Sequence, residues 1–160
     1  MGEGAIQILC GGLGTLAYAL FFHVRPRHLL LATLGGALSW LLYLLVLARD
    51  GNVFLSALVA SMGVCLWSEG MARVRKAPAN IFMIPGIIPL LPGGALYYTM
   101  SALIGGDMDT VMLKGKETGL LALRIVVGIL VASELVRMIL WAEIRRKKML
   151  RSRQTPPGPR

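Results

Sequence analysis

Prolines and glycines are the residues in this chain whose types and spacing say most about chemistry. The run Ile84-Pro85-Gly86-Ile87-Ile88-Pro89-Leu90-Leu91-Pro92-Gly93-Gly94 lies inside an apolar stretch, 77–104, that carries no charge. Each interior proline removes an amide donor and presses on the carbonyl four residues earlier, at a cost of about 3 kcal/mol. The run therefore cannot be a regular helix. In lipid the freed carbonyls have no water to turn to, so such backbone is tolerated only when it is buried in protein or lines a wet cavity. A half-helix beginning at Gly93-Gly94 would direct its amides at an anionic group, with Tyr97, Tyr98 and Thr99 in the next turn, an end suited to a carboxylate. Asn80, Pro85, Gly86, Pro89, Pro92, Gly93, Gly94 and Tyr97 form the candidate substrate-binding set. The alternative is a kinked helix that only shapes the contacts between its neighbours.

Ionisable residues inside apolar spans come next. Glu69, Arg124, Glu134 and Arg137 are candidates for proton or ion coupling, because such groups normally face a bundle interior and mark ion or substrate paths. Glu134 and Arg137 are three apart, so a local ion pair is the plainer reading for them. No catalytic constellation is present: Asp107-Met108-Asp109 is the one close acidic pair, and lysines 114 and 116 follow it. Cys10 and Cys65 lie in apolar spans without CxxC spacing, and His23 and His28 sit among Arg25 and Arg27, so neither a metal site nor a cofactor is expected. Gly12-x-Gly14-x-x-Ala17 imitates a dinucleotide fingerprint without the strand that must precede one. An enzyme is not expected.

These residues must be positioned by membrane spans. The chain has 160 residues, 56% hydrophobic and 16% charged, with a net charge of +9. Stretches 4–22 and 29–48 carry no Asp, Glu, Lys or Arg, and each can cross a hydrocarbon core of roughly 30 Å. A third span covers 53–72, the proline-containing stretch is a fourth, and a last runs over 119–142. A polar loop is expected between the last two, over 105–118. Ala17-Tyr18-Ala19 looks like a cleavage site, but Glu3 is the only charge before the first span, so a retained transmembrane helix is expected. The fold class is all-α and integral to the membrane, with about five transmembrane helices, one of them broken by Pro and Gly.

Charge placement orients them. With five crossings and the N-terminus outside, segments 23–28, 73–78 and the C-terminal tail hold 12 of the 17 basic residues on the inner side. The C-terminus is then cytoplasmic. Residues 1–144 form the transmembrane domain, and 145–160 form a basic tail expected to be disordered at Thr155-Pro156-Pro157-Gly158-Pro159. Basic residues placed this way contact membrane lipids, and no folded basic module exists for nucleic acid. Small residues at helix-face spacing, Gly11, Thr15 and Ala19 in the first span and Ser56, Ala60 and Gly63 in the third, predict close helix approach.

Ala77-Pro78, Phe82, the run from Pro85 to Gly93 and Tyr97 together resemble the threonine/serine exporter (ThrE) family. The chain is most similar to its small (YjjB-type) subunit, which matches the C-terminal membrane half of full-length members. Gly11-Gly12-Leu13-Gly14, the Arg25-Pro26-Arg27 turn and Gly35-Gly36-Ala37-Leu38-Ser39-Trp40 fit the same pattern, over about residues 5–142. The resemblance implies secondary export of small amino acids such as threonine and serine, or of dicarboxylates such as succinate, across the inner membrane. It also implies a larger partner subunit supplying the N-terminal half. A structural or assembly subunit without its own substrate site is the alternative.

Overall fold

The computed structural model describes residues 2–154, all of whose regular elements are helical. They are α1 (Gly2–Phe21), α2 (Pro26–Asp50), α3 (Val53–Arg75), α4 (Asn80–Ile87), a 3-10 turn over Ile88–Leu90, α5 (Gly93–Gly105) and α6 (Met108–Gln154). Four helices are long and apolar enough to cross a membrane, and the pair α4–α5, bent by 59° at its break, makes a fifth crossing if it spans as one. The proline segment at 155–159 lies outside the described residues.

Local chemistry sets the turns. Pro26 opens α2, where its missing amide is no loss. Gly51, in the left-handed conformation, closes α2, and the Asn52 side chain caps α3 by accepting from the Phe54 amide at 2.8 Å. The expected loop over 105–118 is instead mostly helix. Gly106 (φ 76°) ends α5, and α6 begins at once because Asp107 accepts from the Thr110 amide and hydroxyl. The Met, Val, Leu, Lys and Glu that follow are tolerant of or favourable to helix, and their charges settle into a Lys114–Glu117 pair on one face. At its other end α6 continues past residue 144, through the expected start of the tail, to Gln154.

Helix α2 is central, with α1, α3 and α4 against it; α6 lies on α3, and α5 lies on α6. Most large aliphatic side chains point outward, while the interior is built mainly from small ones around a few large residues, Phe82, Val64, Leu90 and Ile125. Thr15, Ala19, Ala32, Ser39, Ser56, Ala60, Ser61 and Ser68 are fully buried, whereas Leu9, Leu30, Ile104 and Leu130 are exposed. A solvent of lipid provides no drive to hide leucine, so close backbone approach is what gains. A Cβ on Gly36 of α2 would stand 2.6 Å from Thr15 Cβ of α1, and one on Gly128 of α6 would stand 2.7 Å from the Leu58 carbonyl of α3. The buried hydroxyls add no interhelical network. Thr15 donates to the Gly11 carbonyl, Ser39 to Gly36, Ser56 to Asn52, Ser61 to Leu58 and Ser68 to Val64, each about one turn back in the chain. Polar ties between helices run instead from Trp67 Nε1 to the Leu31 carbonyl at 3.1 Å and from Cys65 Sγ to the Ile129 carbonyl at 3.8 Å.

Candidate functional site

The proline run divides into two halves with different surroundings. Pro85 and Gly86 lie in α4 and are buried. A Cβ on Gly86 would come within 2.9 Å of Val64 Cγ1 and 3.7 Å of the Gly35 carbonyl carbon, so the glycine lets α4 settle against the backbone of α2. The second half breaks away. Pro89 and Pro92 bring no amide hydrogen, and the remaining donors fold back locally: Leu91 N–H to the Ile88 carbonyl at 3.2 Å and Gly93 N–H to the Leu91 carbonyl at 2.8 Å. Beyond Pro92 the chain packs on α6, and α5 has no buried residue.

Beside the break is a cavity of about 150 Å3, lined by Pro89, Leu90, Leu91 and Pro92, by Trp40 and Tyr43 of α2, by Ala57 of α3 and by Leu121 of α6. Trp40 and Tyr43 stack with ring centroids 5.2 Å apart, and the buried Trp40 Nε1 has no hydrogen-bond partner. One helical turn from Leu121 stands Arg124, whose guanidinium lies 5.1 Å from the centre of the Phe54 ring and whose buried Nε is also unpartnered. Phe54 is in turn one helical turn from Ala57. Unsatisfied buried donors are rare in folded proteins; here one belongs to a residue of the cavity wall and the other lies one turn along α6 from it. The arrangement can hold a small molecule that offers an acceptor and a negative charge.

The other candidates are spread along the chain. Gly93 and Gly94 are exposed, with no atom within 4 Å of where a Cβ would stand, and Tyr97 is 68% exposed. Asn80, at the start of α4, lines a separate apolar groove with Phe22 and Ile84. Glu69 pairs with Arg73 at 3.2 Å on its own helix. Glu134 pairs with Arg137 at 3.4 Å, both on an outward face of α6 with side chains 60% and 75% exposed. The structure therefore places Pro89 and Pro92 on the cavity wall and Arg124 one helical turn along α6 from it, and leaves Asn80, Glu69, Glu134 and Arg137 away from it. Trp40, Tyr43, Ala57 and Leu121 are additions to the residues that the sequence singles out. The i, i+3 spacing of Trp40 and Tyr43 is the available signal, but it does not identify a facing partner. Among the described residues no cluster of three His, Cys, Asp or Glu could hold a metal ion.

A family model described as threonine/serine exporter, ThrE, matches residues 7–135. No curated protein and no solved structure matches the chain.

Proposed function

The chain belongs to the threonine/serine exporter (ThrE) family, and from that premise we propose that it is one membrane part of an exporter of threonine and serine in the cell's inner membrane, completed by a larger partner subunit. The cavity at the Pro89–Pro92 break carries this reading. Its size, about 150 Å3, is a few water volumes of roughly 30 Å3 each, which suits a small amino acid. The substrate carboxylate meets Arg124, and the Trp40 indole donates to a substrate oxygen. A single guanidinium favours one carboxylate over the two of succinate, because a second buried anion would lack a partner. The orientation consistent with export puts the Arg- and Lys-rich turns and the C-terminus in the cytoplasm.

The partner is supported by α5 and α6. Helix α5 leans on α6 with no residue buried, and α6 turns the Glu134–Arg137 pair outward within its apolar length. Charged groups facing lipid are expensive, so a polar surface of a second subunit is the fitting cover. A second reading, an assembly subunit with no substrate site, is favoured by the burial of Pro85 and Gly86, which gives half of the proline run a part in helix contact.

Efflux of preloaded threonine, serine and succinate separates them, with cells expressing this chain, its larger partner, or both. Efflux of threonine and serine is expected only with both, and Arg124→Gln is expected to lower it about tenfold or more while the two subunits still co-purify. Leu121→Phe, which narrows the cavity from its α6 wall, is expected to fold and to alter substrate affinity. Wild-type efflux from both variants in an intact complex would leave the assembly reading standing.

A further inference from the structure

The α1–α2 and α3–α4 connections enclose a cleft of about 720 Å3 at the end of the bundle away from the Pro89–Pro92 cavity. His23, Arg25, Arg27 and His28 line it from the first connection, and Arg75 and Lys76 from the second. Among the described residues no carboxylate lines it, and none of its cations belongs to the three ion pairs found there. His28 is only 6% exposed, its ring is edge-on to Phe82 at 5.6 Å, and its buried Nδ1 has no hydrogen-bond partner. Four permanent positive charges gathered around one space repel one another. An anion among them relieves that repulsion.

The cleft continues into an apolar groove. Phe22, Val24 and Ile81 line both, and the groove of about 190 Å3 runs on along α4 past Ile84 and Pro85, with Asn80 its one polar residue. A free phosphate or a metabolite carboxylate matches the basic part alone. A phospholipid with an anionic headgroup matches both, its phosphate among the cations and an acyl chain along the groove.

We propose that the cleft and groove form a binding site for a phospholipid of net negative charge, with Arg25, Arg27, Arg75 and Lys76 around the phosphate and an acyl chain along Ile81 and Ile84. The lipid bridges the α1–α2 and α3–α4 turns and is distinct from whatever passes the Pro89–Pro92 cavity.

Native mass spectrometry of the full-length protein in detergent tests this, with phosphatidylglycerol, phosphatidylcholine and inorganic phosphate added separately. Phosphatidylglycerol is expected to be retained at least about tenfold more tightly than phosphatidylcholine. Arg25→Gln with Arg75→Gln, both exposed residues, is expected to weaken that retention about thirtyfold. Removing the same charge elsewhere, by Arg151→Gln with Arg153→Gln, is expected to leave it unchanged. Ile84→Trp, which fills the groove, is expected to weaken phosphatidylglycerol without the charge change. Equal retention of the two lipids, or equal loss in both charge variants, would overturn the site in favour of diffuse surface attraction. Displacement of phosphatidylglycerol by inorganic phosphate at equal concentration would overturn the lipid assignment in favour of a free-phosphate site.

Discussion

Trp40 Nε1, on a residue of the cavity wall, and Arg124 Nε, one turn along α6 from it, are enclosed nitrogens that no protein acceptor meets. A buried donor left unpaired costs about 1–3 kcal/mol, which a substrate supplying an acceptor under the proposed function would offset. Trp40→Phe retains an aromatic ring against Tyr43 and deletes the N–H. Its unfolding stability in detergent is expected to stay within about 1 kcal/mol of wild type, while threonine efflux falls. Loss of fold in that variant would reassign Trp40 to structure. At the other end of the scale of burial, Asp107 is fully exposed, and its carboxyl is held below its ordinary value first by the Thr110 hydroxyl and then by the Thr110 amide. Because the folded value is the lowered one, the capping contribution is complete above the ordinary aspartate range. It is lost as pH falls through the lowered value. Thr110→Val removes the larger cause, and an NMR titration of Asp107 is expected to move upward towards an ordinary carboxylate; an unmoved titration would refute the capping role.

Helices here are held by approach rather than by bulk. Thr15 of α1 fills the place a side chain on Gly36 would take, and the Leu58 carbonyl of α3 crowds Gly128 of α6. Gly36→Ala is therefore expected to lose about 2 kcal/mol in a thermal or denaturant melt, since Thr15 is fully buried and has nowhere to turn. Gly94→Ala, with open space around it, is the contrast and is expected to remain level. Similar losses at both positions would argue against backbone approach as the cause. The element α4–α5 shows the same logic interrupted. Gly86 is needed for its closeness to α2, whereas Pro89 and Pro92 break the ladder and open a cavity.

Seen whole, the molecule is five crossings deep if α4 and α5 span as one, with α6 far longer than a bilayer requires. Its 47 residues extend about 70 Å at 1.5 Å per residue, more than twice a hydrocarbon core of roughly 30 Å. The helix must project beyond the hydrocarbon. The positive-inside distribution predicts which side is which. Lys116→Cys is expected to react with an impermeant thiol reagent added to intact cells, and Arg75→Cys is expected to stay protected until the membrane is opened; the reverse pattern would invert the topology. The outward Glu134–Arg137 pair yields a further expectation for the assembly. Replacing both with Leu is expected to leave this chain stable in detergent yet prevent it from co-purifying with the proposed larger partner, and undiminished co-purification would place the proposed interface elsewhere.

What the sequence determined by itself was local or compositional. Uninterrupted apolar runs imply spans because a bilayer has a fixed thickness, and Pro89 and Pro92 interrupt the helix because the missing amides belong to those residues alone, whereas Pro85 is carried inside α4. The small-residue spacing at Thr15, Ala19, Ser56 and Ala60 likewise marks buried contact faces. The start of α6 is not legible in the same way, because charged residues at 107–117 look like a loop although most of them are tolerated in a helix once Asp107 caps it. Tertiary structure decided the rest: that Pro85-Gly86 is buried while Pro89–Pro92 faces a cavity, that Trp40 lines it with Arg124 one turn along α6 from its wall, and that Glu134 and Arg137 turn away. The physical reason is that a span apolar on every side has no hydrophobic face to read. Its rotation is set only when Gly36, Gly86 and Gly128 meet their neighbours, across helices distant in sequence.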